Sequence, residues 1–182
     1  GIGVRIEVFF LIPMYGLSTA LLSMTGQNNG ANKPERIRET LKTTLKYGLI
    51  IAGGGGIFLF FLADPLMTIF TDDPLVIKHG VIYLKIMAFA LCARVIHFQT
   101  NSLLQGLKKP FPVVVISLFR HVLVPGILGY YMAFQLGMRE SGVWWSWFIV
   151  VWIAAIVSYF YGRHVLGQRL ASAEQPAESS AS

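Results

Sequence analysis

Five apolar runs of 18 or more residues recur along this chain, over approximately residues 6–25, 47–70, 81–106, 111–134 and 142–165. Each is about the length a helix needs to cross a hydrocarbon core of roughly 30 Å at about 1.5 Å per residue. The runs are apolar on every side and do not alternate as the strands of a membrane barrel do. Inside lipid every backbone polar group must be satisfied within the segment itself. These constraints predict an all-α, polytopic transmembrane helix bundle. Composition agrees: 54% of the residues are hydrophobic, 13% are charged and the mean hydropathy is +0.60, values that exclude an ordinary soluble domain.

A formal charge of +6 raises the question of nucleic acid, but the placement of the charges answers it. Lys33, Arg36, Arg38, Lys42 and Lys46 follow the first run, Lys108 and Lys109 follow the third, and Arg163, His164 and Arg169 follow the fifth. The alternate connections hold Asp64, Asp72, Asp73 and Lys78, or Arg139 with Glu140, and lack that basic excess. The positive-inside rule then puts the three basic connections and the C-terminus in the cytoplasm of a multi-pass membrane protein, with lipid and not nucleic acid as the surrounding partner. Gly1 falls outside, with no initiator Met and no charged n-region, so the chain is expected to be part of something longer. Residues 1–167 read as one membrane unit. Residues 168–182, rich in Ala, Ser, Glu and Pro, read as a disordered cytoplasmic tail. The single cysteine, Cys92, lies within a run and allows no internal disulfide.

Local signals punctuate the runs. Asn32 is placed to cap, and Pro34 to occupy the first turn of, an amphipathic surface helix running through Glu35, Arg36, Arg38, Glu39 and Lys42. Pro13 and Pro125 fall inside runs and remove backbone hydrogen bonds there, as hinges or as plain packing kinks. The four glycines 53–56 allow close helix approach or local flexing.

Polar groups within the runs carry more information, because an ionisable side chain in lipid is costly and faces a cavity or a partner. At 100° per residue, Tyr83, Met87, Ala90, Arg94, His97, Asn101 and Gln105 share one face of the third run. Arg94 lies near the middle of that run, and Arg120 with His121 near the middle of the next. These cations suit an anionic group on a substrate, carboxylates from outside this chain, or simple fastening of helices. Glu7 is the carboxylate within an apolar run; it sits in the outer part, on the face of Ser18 and Thr25, and suits a proton or cation coupling site or an interfacial anchor. His97 reads as a hydrogen-bonded packing residue or a proton relay.

The segment Pro13-Met14-Tyr15-Gly16-Leu17-Ser18-Thr19-Ala20, then Gly26-Gln27-Asn28-Asn29-Gly30-Ala31 and Glu35-Arg36, resembles the eighth transmembrane helix and following loop of the MATE (multidrug and toxic compound extrusion) family. Phe70-Thr71-Asp72-Asp73 with Tyr83-Leu84 is similar to the entry of that family's tenth helix, and Leu103-Leu104-Gln105-Gly106-Leu107-Lys108-Lys109-Pro110 to its exit. The resemblance extends from Gly1 to about Val165, which makes the chain helices eight to twelve, five of the six helices of a C-terminal lobe.

The resemblance implies a secondary active antiporter that exports organic cations or other amphipathic toxic compounds in exchange for Na+ or H+, by rocking two lobes around a central cleft. The N-terminal lobe is then a partner outside this chain. The implied cleft residues are Glu7, Arg94, His97, Asn101 and Arg120; Gly26, Gln27, Asn28, Gly30, Ala31 and Gly106 form the family motif and inner gate. No cofactor beyond the coupling ion and no metal ligand set is expected. Many members of the family carry an acidic residue about three turns before the glycine that here is Gly106, where this chain has Arg94. Coupling then falls to Glu7 or to the other lobe, or the substrate is not a simple cation. The mid-membrane arginines also suit a flippase of an anionic lipid-linked precursor. A truncated, inactive membrane fragment is the third reading. No cysteine–histidine pair or phosphate-binding glycine loop points to an enzyme.

Overall fold

The computed structural model describes residues 2–135 and 139–179. Among these residues it contains helices and connections and no strand. Five helical stretches are long and apolar enough to cross a membrane, as the run lengths predict.

Helix α1, Ile2–Gly30, runs unbroken through Pro13. Its buried residues Ile6, Glu7, Leu11, Met14, Ser18, Leu21 and Thr25 recur every three or four positions, so a single face packs inward. It ends in a Schellman arrangement: Lys33 N donates to Asn28 O at 2.9 Å and Asn32 N to Asn29 O at 3.3 Å. Asn32 takes the left-handed conformation this ending requires, with φ 52°. It therefore closes α1 and does not cap the next helix, a role for which the sequence had suggested it. Asn is one of the few side chains that tolerates that backbone state.

Helix α2, Pro34–Phe61, has Pro34 in its first turn, as expected. The amphipathic segment does not form a separate surface helix; it is the first part of α2. The inward positions Ile37, Thr40, Leu41, Thr44, Gly48, Ala52, Gly56 and Leu59 keep one phase throughout, so nothing in the packing separates the two parts. The second run also ends earlier than residue 70. The chain breaks at Leu62 and resumes as the short α3, Ala63–Phe70. The cause is Pro65, whose ring would meet the carbonyl of Phe61 if α2 continued. Among the four glycines, Gly56 allows close approach: a Cβ there would stand 2.7 Å from Ala88 O, whereas Gly53 and Gly54 have open space.

Helix α4, Pro74–Gly106, is the axis of the molecule, with α1, α2 and α7 packed around it. Asp73 caps it, its carboxylate accepting from Leu75 N at 2.8 Å. It ends as α1 does, with Lys108 at φ 60° and Lys109 N donating to Leu104 O. The fourth span, 111–135, is α5 (Phe111–Leu118), a π-helical turn (Phe119–Leu123), α6 (Val124–Tyr130) and a second π-helical turn (Tyr131–Gln135). In the first π turn Val124 N bonds back to Phe119 O, one residue further than in an α-helix. Pro125, which cannot donate, follows immediately. Helix α7, Arg139–Ser179, continues past the expected end of the fifth span. Where composition predicts a tail from 168 onward, Leu170 packs on the cluster of Leu21, Ile37, Leu103, Leu104 and Val165, and Arg169 Nε donates to Asn29 Oδ1 at 2.9 Å.

Candidate functional site

Phase on α4 and depth on α1 build the site. Tyr83 and Arg94 are eleven residues apart, three turns, and so project from the same side of α4. Both reach Glu7 on the facing side of α1. Arg94 Nη2 stands 2.9 Å from Glu7 Oε1, and Tyr83 Oη donates to Glu7 Oε2 at 2.7 Å. The Glu7 side chain is 2% exposed and that of Arg94 13%. The sequence left Arg94 waiting for an anionic substrate or a carboxylate from elsewhere; its partner is in this chain.

The rest of the polar face of α4 divides. Met87 and Ala90 pack with Val151 and Ala155 of α7. The His97 ring is fixed on both sides, with Nδ1 3.0 Å from Ser158 Oγ and Nε2 3.0 Å from Asn101 Nδ2. That geometry locks α4 to α7 through a buried imidazole. Gln105 is exposed at the helix end.

Arg120 sits in the π turn of the fourth span. Its Nη2 lies 2.7 Å from His121 Nε2, its Nε is buried without a hydrogen-bond partner, and among the described residues no carboxylate lies within 4.0 Å of it. Arg94 and Tyr15 are within its electrostatic reach, and His121 is within that of Arg94. Aromatic rings border the region: Tyr15 and Phe98 are 5.2 Å apart and His121 and Trp147 5.8 Å. Glu7, Tyr83 and Arg94 are thus in direct contact, and Arg120 with His121 makes a second polar contact on the facing span; the two together are the polar cluster of the candidate site.

The motif residues 26–31 lie elsewhere, at the basic end of α1, roughly 28–35 Å from Glu7 along the helix axis. Asn28 Nδ2 donates to Met24 O at 2.8 Å and Gln27 Nε2 to Ser23 Oγ at 3.4 Å. Gly26 and Gly30 have open space around them; the tight approach at this end is at Gly106, where a Cβ would stand 2.6 Å from Thr25 Cβ. Two participants were missed by sequence reasoning. Ser158 completes the His97 bridge, and Gln99 is wholly buried with both amide atoms unpartnered. A polar residue on an apolar helix was the available signal; which neighbour it meets depends on helix–helix register, which hydropathy does not encode.

A multi-pass helical bundle with a buried ion pair at membrane depth defines a polytopic membrane protein that holds charged groups within an otherwise apolar interior. The family model MatE matches residues 1–131, and the chain belongs to that family. It is 34% identical over 126 residues to a FAD transporter of Shewanella oneidensis, an alignment covering 68% of this chain and 27% of that protein. It is 27% identical over 116 residues to the probable multidrug resistance protein NorM of Thermotoga maritima, covering 64% of this chain and 25% of that one. The solved MATE transporter ClbM, in complex with Rb+, superposes with a TM-score of 0.84 at 27% identity, over 92% of this chain and 40% of its own. The chain therefore spans between a quarter and two fifths of the length of these relatives.

Proposed function

We propose that the whole protein is a secondary antiporter of the inner membrane that exports amphipathic small molecules by alternating access. Residues 1–167 supply five of the six helices of one lobe, and the basic ends and C-terminus face the cytoplasm. The observation that carries this reading is the buried Glu7–Arg94 pair, flanked by Tyr83. A carboxylate held at that depth exchanges its arginine for Na+ or a proton, and the exchange frees a guanidinium to rearrange the cluster.

The balance of charge speaks to the cargo. Glu7 and Arg94 offset one another, leaving Arg120 as an unbalanced cation among the described residues of the cluster. That favours cargo bearing an anionic group beside an apolar or aromatic body. The likeness to a FAD transporter supports it, since FAD joins an aromatic ring system to phosphates. Organic cations, which the family resemblance implied, are the second reading; the Tyr15 and Phe98 rings favour it, as does the likeness to NorM.

Uptake of FAD and of a cationic dye by everted membrane vesicles carrying the whole protein separates the two. Arg120→Gln is expected to reduce FAD uptake about tenfold, the worth of a hydrogen bond to a charged group, and to leave dye uptake intact. Impaired dye uptake with unchanged FAD uptake would sink the anionic reading. Activity towards neither, with restored export of a lipid-linked precursor, would replace it with the flippase reading.

A further inference from the structure

Where α2 and α7 meet at the basic end of the bundle, they enclose a cleft of about 330 Å³. Arg38 and Lys42 enter it from α2 and Arg163 from α7, above a wall that includes Leu45, Leu166 and Tyr159. The Arg163 guanidinium rests over the Tyr159 ring at 5.7 Å, which holds its flat face in place. Among the described residues neither Lys42 nor Arg163 has a carboxylate within 4.0 Å. Arg38 has Glu35 at 3.5 Å, an exposed pair that contributes little.

The topology rule for membrane proteins asks only for basic residues near the ends of spans. It does not ask that cations far apart in sequence converge on one cleft with an apolar wall. The depth is informative too: Lys46, one turn beyond Lys42, is the last charge before α2 enters its apolar stretch. The cations therefore stand at the level of lipid headgroups, with the leucines leading towards acyl chains. We propose that this cleft binds the phosphate headgroup of an anionic phospholipid of the adjoining leaflet, with Lys42 and Arg163 as the main ligands. The site lies outside the Glu7–Arg94 cluster and does not rest on the transport reading.

The test titrates the whole protein, in a neutral detergent, with dioleoylphosphatidylglycerol or dioleoylphosphatidylcholine and counts retained lipids by native mass spectrometry. Saturable retention of the glycerol lipid over the choline lipid is expected, with affinity falling roughly fivefold for each of Lys42→Gln and Arg163→Gln. Lys42→Arg, which keeps the charge, is expected to bind as the parent does, so lost binding there would point to damage and overturn the assignment. Lys109→Gln removes the same charge on the other side of α7. An equal loss in that variant would mean general attraction to a basic surface and overturn the site. Soluble glycerol 3-phosphate displacing the lipid at equal concentration would overturn the lipid as its source.

Discussion

Glu7 shows how much depends on one side chain in this interior. With its oxygens facing Arg94 and Tyr83, its replacement by Gln leaves a guanidinium with little access to solvent and no counter-charge. Breaking a buried pair from one side costs about 3–5 kcal/mol, chiefly because of the stranded charge. The Glu7→Gln protein is therefore expected to melt well below the parent, and Glu7→Gln/Arg94→Gln to recover most of the difference. A double variant as unstable as the single one would show that the pair is not what holds α1 on α4. His97 behaves differently: with both ring nitrogens occupied by Ser158 and Asn101, it fastens helices.

Among elements, the contact between α2 and α4 turns on Gly56. A methyl group there meets the Ala88 carbonyl at 2.7 Å, backbone that cannot swing aside. Gly56→Ala is expected to destabilise the protein by about 1–3 kcal/mol. Gly54→Ala, which meets open space, is expected to be neutral or to stabilise by up to about 1 kcal/mol through its helix preference. Thermal unfolding of the two purified variants checks this, and equal melting would contradict the packing described. The number and order of spans were legible in the sequence because bilayer thickness converts directly into run length. The shared side of Tyr83 and Arg94 was legible from helical phase. The break at Leu62 carried a signal in Pro65 that a hydropathy run conceals. The meeting of Arg94 with Glu7 had none, because it depends on how two separately readable helices are set against each other, and that follows from packing along their whole length.

For the whole molecule, the alternation of basic and non-basic connections makes an orientation testable. Cysteines introduced at Lys109 and at Asp72, in a Cys92→Ser background, should react differently with a membrane-impermeant maleimide. In intact cells Asp72→Cys is expected to label and Lys109→Cys to label only after the membrane is opened. The reverse pattern would invert the bundle and place every basic end outside. The bundle is also mechanically uneven. Helices α1, α2 and α4 share clusters of buried side chains, and α7 is joined to α4 through Val151, Ala155 and the His97 bridge. The fourth span leans mainly on α7, with no buried residue in α5 or in its second π turn. A rod attached along one edge, and already out of α-helical register at two places, has the least buried surface of the five described spans and is expected to yield first. Arg120 rides on it. If that rod bends, Arg120 moves with it while the Glu7–Arg94 contact, made between α1 and α4, stays in place, so one of the two mid-membrane arginines stands on a firm scaffold and the other on a yielding one.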